Sequence, residues 1–121
     1  HGERNYPTRK MRSTLDVGLA DGVQDDDYLA ILERHLAAIL AGFTADLVFY
    51  LAGVDPAQGD RYGRLRLTDG GLRRRDRRVL ETCRQAGLPV VITIAGGYAP
   101  TPERTAELHA IVFEEAHALF R

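Results

Sequence analysis

Two short segments carry the residue types that could do chemistry: Gly53-Val54-Asp55-Pro56, continued by Gly59-Asp60-Arg61, and Gly96-Gly97-Tyr98. A carboxylate can hold a cation, and a phenol can donate a hydrogen bond to a developing oxyanion. Asp55 and Tyr98 each fall about four residues past an apolar run that reads as a strand. In open α/β sheets, ligands bind just beyond the carboxyl ends of the strands. If the two runs are neighbouring strands, Asp55 and Tyr98 converge on one site. The same residues also build plain turns, since Gly-Gly before an aromatic and Asp-Pro are common loop elements. On the residues alone, both readings stand.

The elements that must position these loops follow from pattern. Residues 1–24 are polar and punctuated by Pro7, Gly18 and Gly22, with only Leu15, Val17 and Leu19 alternating as a short strand would. Asp25, Asp26 and Asp27 then precede a stripe of Tyr28, Leu29, Ile31, Leu32, Leu36, Ile39, Leu40 and Phe43. That spacing predicts an amphipathic helix with acids at its positive end and a stop at Gly42. Leu47 to Leu51 and Leu88 to Ile94 are short apolar runs expected as strands buried on both faces. Between them, Thr68 and Asp69 cap a helix that carries Leu72, Val79, Leu80 and Cys83 and ends at Gly87. Thr101 with Pro102 opens a last helix with Leu108, Ile111, Val112, Leu119 and Phe120 on its apolar face. This alternation predicts an α/β fold with parallel β-strands. Two or three such strands with no upstream partner leave a long unpaired edge, as if an N-terminal part were missing.

The segment from Ala52 to Thr68 resembles the Gly-x-Asp, Gly-Asp-x-x-Gly and Leu-Thr block of the histone deacetylase family, and Ile94-Ala95-Gly96-Gly97-Tyr98 resembles its Gly-Gly-Tyr loop. His1 to Pro7, and Asp21-Gly22 with Asp25 and Tyr28, resemble the stretches before those blocks, in order, over nearly the whole chain. The likeness looks closest to the bacterial and class IV branch. It implies a partial arginase/deacetylase-like three-layer fold, with residues 1–121 as the C-terminal portion of the domain. It implies Asp55 as one aspartate of an Asp-His-Asp zinc site and Tyr98 as the tyrosine that polarises the scissile carbonyl. Gly96 and Gly97 would let the backbone pass close to an acyl-lysine chain. Tyr62 would stand at the pocket wall, where relatives often carry Leu, and Tyr6 would line the tunnel. Asp60 and Arg61 would organise their loop. The implied substrate is an acylated lysine in a protein, or a small acyl-amine.

The Asp-x-His ligands and the His-His general-base pair of that family do not occur here; the only histidines are His1, His35, His109 and His117. His35, His109 and His117 read as ordinary helix residues, the last two far from the strand ends. One carboxylate cannot build a catalytic zinc site, which needs about three protein ligands. The expectation is therefore zinc in the complete protein, none tightly bound to these residues, and no hydrolysis by them alone.

Composition narrows the alternatives. A formal net charge of −1 gives no global signature for nucleic acid or a membrane surface. Arg73, Arg74, Arg75, Arg77 and Arg78 read as a solvated basic face without the interleaved aromatics that nucleic acid calls for. No apolar run spans a bilayer, and no signal peptide is visible. Cys83 is the single cysteine, which fits a reducing compartment and a cytoplasmic location, with Cys83 itself a small core residue. Arg outnumbers a single Lys, Lys10, which suggests a GC-rich bacterial gene. Two other readings remain: a Rossmann-like small-ligand or nucleotide module, against which stands the absence of Gly-x-Gly-x-x-Gly, and a non-catalytic interaction scaffold. Self-association through an exposed sheet edge is a further expectation.

Overall fold

The computed structural model describes all residues from His1 to Arg121. The elements run α1 (Asp25–Gly42), β1 (Val48–Leu51), α2 (Asp69–Gln85), β2 (Val90–Thr93) and α3 (Pro102–Leu119). β1 and β2 pair in parallel, in a register from Val48 opposite Val90 to Leu51 opposite Thr93. The expected order of elements therefore forms. The strands are shorter than the apolar runs that announced them, and Leu15 to Leu19 makes no strand. Leu19 instead forms a single bridge with Gly2, which holds the N-terminal segment to the body.

Local chemistry explains the helix ends. The Thr68 hydroxyl accepts from the Gly71 amide at 3.0 Å, and the Thr101 hydroxyl accepts from Arg104 at 3.1 Å, with Pro102 opening α3. Each cap satisfies an otherwise orphaned amide of the first turn. α2 stops at Gly87, whose φ of +68° is left-handed. The Gly87 amide donates to Arg84 and the Leu88 amide to Cys83, the paired bonds that close a helix over a glycine. At α1 the first carboxylate does a different job. Asp25 accepts from the amide of Thr68 at 2.9 Å and from its hydroxyl at 2.6 Å, tying the start of α1 to the start of α2.

α2 and α3 cover one face of the strand pair. There Ala52, Leu80 and Val112 are buried, with Tyr50, Val90, Ile92, Ala116 and Leu119 packed against them. A second cluster lies under the loops that follow β1: Leu19, Val54, Ala57, Leu65, Leu67, Leu72, Leu108 and Ile111. The opposite face of the strands is bare. Phe49, Leu51 and Val91 point away from the helices and are exposed, so the expectation of strands buried on both faces is wrong within this chain. A continuous apolar run says that both faces suit an apolar neighbour, whereas these 121 residues supply a helical layer on one side only.

The expectation of a solvated arginine face fails at Arg75, whereas Arg73, Arg74, Arg77 and Arg78 are exposed as expected. Arg75 is buried and donates to Asp76 through Nε at 2.9 Å and to the Gly53 carbonyl through a terminal nitrogen at 2.7 Å. The Tyr50 hydroxyl donates to the same Asp76 oxygen at 2.5 Å. Arg73 and Arg77 clamp the buried Glu115 of α3, each at 2.7 Å. Four of the five arginines stay exposed, and Arg75 alone turns in toward the exit of β1.

Candidate functional site

β1 ends at Leu51 and the chain passes through buried Ala52, Gly53 and Val54 to Asp55. β2 ends at Thr93 and passes through Ile94 and Ala95 to Gly96, Gly97 and Tyr98. Parallel pairing sends both exits to the same rim of the sheet. The ladder continues past the strands as the Ala52 amide donates to Thr93 at 3.0 Å and the Val54 amide to Gly96 at 2.7 Å. The loops are thus zipped together up to the residue before Asp55.

They enclose a cavity of about 580 Å³ lined by Asn5, Tyr6, Asp55, Asp60, Tyr62, Gly63, Gly96, Gly97 and Tyr98. All six expected site residues (Asp55, Tyr98, Tyr6, Tyr62, Gly96 and Gly97) are brought together there. The Asp55 carboxylate lies against Gly96, whose absent side chain would sit 3.2 Å from one of its oxygens. No protein group within the chain hydrogen-bonds that carboxylate, so it stays free to take an external partner. Gly97 holds φ at +155°, and a side chain there would collide with Val54. Only glycine lets the backbone cross that point. The Tyr98 ring meets Tyr62 edge to face, with centroids 5.0 Å apart and planes at 83°. That contact favours one side of the phenol and leaves its other side on the cavity. Tyr6 stands at the mouth, 88% exposed.

A carboxylate, a phenol and two aromatic walls suit a ligand with a cation or polar carbonyl at the floor and an apolar chain above. The donor set for a metal is one carboxylate. No group of three His, Cys, Asp or Glu side chains comes together to hold an ion. Asp55 alone is fewer donors than the roughly three protein ligands on which a catalytic zinc site draws.

Two residues near the floor escaped the sequence reading. His109 was expected far from the strand ends. It lies under the Gly96-Gly97 loop, its Nε2 3.5 Å from where a Gly97 side chain would begin, and its Nδ1 is buried without a partner. Burial, and after it the Arg75 guanidinium, holds its pKa below the ordinary imidazole value. The signal was available: position 109 flanks the stripe of Leu108, Ile111 and Val112, so α3 turns it inward. Arg75 is the other. It grips the Gly53 carbonyl two residues before Asp55, and burial pushes the neighbouring Tyr50 phenol up, so Tyr50 stays a donor.

Fold and rim together define a class: a parallel α/β protein with a free carboxylate and a phenol at the carboxyl ends of its strands. The histone deacetylase domain model matches residues 2–115, and the chain belongs to the histone deacetylase family. It is 47% identical over 120 residues to an uncharacterized protein of Picosynechococcus sp., which covers 99% of this chain and 40% of that protein. It is 33% identical to Histone deacetylase 2 of Arabidopsis thaliana over 73% of this chain and 23% of that protein. Among solved structures, the HDA15 HD domain superposes with a TM-score of 0.59 at 28% identity, over 78% of this chain and 26% of that one. The fold is accordingly a partial arginase/deacetylase-like α/β fold. The chain spans well under half the length of these relatives. The family match displaces the nucleotide-module reading. No helix is long and apolar enough to cross a membrane.

Proposed function

We propose that residues 1–121 form the C-terminal portion of a zinc-dependent amide hydrolase that removes acyl groups from acylated lysine or a related acyl-amine. The observation that carries this reading is the shared cavity: Asp55 and Tyr98, from two loops, line one pocket at the strand ends. Zinc, when bound, would supply a Lewis acid and an acidified water. Asp55 would give one of its ligands. Tyr98 would donate from its phenol to the carbonyl oxygen as that oxygen gains charge. Tyr6 and Tyr62 would flank the acyl-lysine stem, and Gly96 and Gly97 would let it approach the backbone. The membership of the family and the free Asp55 carboxylate support this assignment.

The test uses the full-length protein carrying these residues. Tyr98→Phe is expected to lower kcat about 100- to 1,000-fold, the effect of losing one oxyanion donor, with zinc content unchanged. Asp55→Asn is expected to lose zinc. Wild-type turnover by Tyr98→Phe would overturn the reading and leave an interaction scaffold as the better one. The isolated 121 residues are expected to bind no zinc tightly, checked by metal analysis, and to associate through the bare strands, checked by light scattering. A reducing, cytoplasmic setting is part of the same proposal and rests on the lone Cys83, buried as a thiol.

A further inference from the structure

We propose that Asp60 is a positioning residue that sets the place of the Tyr98 phenol, an inference that rests on the reading of Tyr98 as oxyanion donor. Its two carboxylate oxygens serve different loops. Oδ1 accepts from the amides of Tyr62 at 2.9 Å and Gly63 at 2.6 Å, which folds its own loop into a turn. Oδ2 reaches across to accept from the Tyr98 amide at 2.6 Å. The next residue completes the grip, because the Arg61 amide donates to the Tyr98 carbonyl at 2.9 Å. Tyr98 is thus held at both its backbone groups by the pair at 60 and 61, and on its ring by Tyr62.

The need for such a grip comes from what precedes Tyr98. Gly96 and Gly97 are the least constrained residues a backbone can have. Nothing in a Gly-Gly run fixes where the next side chain points. Hydrogen bonds to a carboxylate are shorter and stronger than those between neutral groups, so Asp60 restrains that point better than an amide or hydroxyl would. Donor placement matters steeply for an oxyanion, since a displacement of about 1 Å can cost on the order of 100-fold in rate. With three backbone amides on its oxygens, Asp60 is committed to this clamp and is not offered to the cavity as a ligand.

The experiment is a double-mutant cycle on the full-length, zinc-loaded protein, using a trifluoroacetyl-lysine peptide so that slow variants still give measurable rates. Asp60→Asn keeps the shape but can no longer accept from both loops. It is expected to lower kcat about 10- to 100-fold with KM within about threefold and zinc content unchanged. In a Tyr98→Phe background the same change is expected to cost less than about threefold, because there is no phenol left to place. Asp60→Ser can rebuild its own turn but cannot reach Tyr98, and it is expected to repeat the loss if the isosteric variant folds poorly. Equal fold losses in both backgrounds would mean a merely structural role and overturn the proposal, as would wild-type kcat in either Asp60 variant. Full activity of Tyr98→Phe alone would instead sink the underlying assignment of the site, a separate result.

Discussion

α1 and α2 are of nearly equal length, 18 and 17 residues, yet the more apolar one buries nothing and the arginine-rich one buries seven residues. α1 presents Leu36, Ile39 and Leu40 on a stripe that no element of this chain covers fully. α2 sits between α1, the strand pair and α3, and its buried set includes Leu72, Leu80, Arg75 and Asp76. Burial is a property of neighbours, not of the hydrophobicity of the segment itself. α2 can afford charge inside because each charge meets its complement there: Arg75 meets Asp76, and Glu115 of α3 meets Arg73 and Arg77.

The largest expected effect tests that pairing. Arg75→Met in the full-length protein strands Asp76 and frees the Gly53 carbonyl, and is expected to cost about 3–5 kcal/mol in urea unfolding. Adding Asp76→Leu should recover most of it, whereas a loss below about 0.5 kcal/mol for Arg75→Met would mean the guanidinium is solvated after all. Next, Leu80→Ala on α2 is expected to cost about 2–5 kcal/mol, against less than about 1 kcal/mol for Ile39→Ala on α1. A cost at Ile39 as large as at Leu80 would break the contrast and show that residues outside this chain cover the α1 stripe. Thr68→Ala removes the cap of α2 and one of the two bonds to Asp25, at an expected 1–2 kcal/mol, roughly. Hydrogen exchange would sharpen that result, since the first turns of both helices should lose protection together.

Much of this was legible because it is local. Thr68, Gly87, Thr101 and Pro102 mark helix ends through bonds within a few residues. The convergence of Asp55 and Tyr98 follows from parallel strands alone. What was hidden depends on partners distant in sequence. Phe49 and Leu51 look the same as Tyr50 in a strand pattern until it is known which side carries α2 and α3. Arg75 was misread as surface although the frame was visible: Leu72, Val79, Leu80 and Cys83 form a stripe, and position 75 lies in its middle. Spacing placed Arg75 inside, and its charge argued it out. The partners that reconcile the two, Tyr50 and the Gly53 carbonyl, come from another element.

The smallest expected effect concerns the third helix, where a titrating group faces the site floor. His109 is held below the ordinary pKa of 6.5 by burial first and by Arg75 second, with the nearby Ala52 backbone and the charge of Asp76 working the other way. A base with a depressed folded pKa binds fewer protons in the native state than in the unfolded one. Its contribution to stability is therefore complete above about pH 6.5 and is lost as pH falls through the lower folded value. His109→Gln keeps a polar side chain at this position and removes the titration. Between pH 7 and pH 5 the melting temperature of the unaltered protein should fall more steeply than that of the variant, and parallel curves would mean that the imidazole beneath Gly97 protonates as freely in the folded protein as in the unfolded chain. A steeper fall would show instead that acid loosens the floor under the Tyr98 loop.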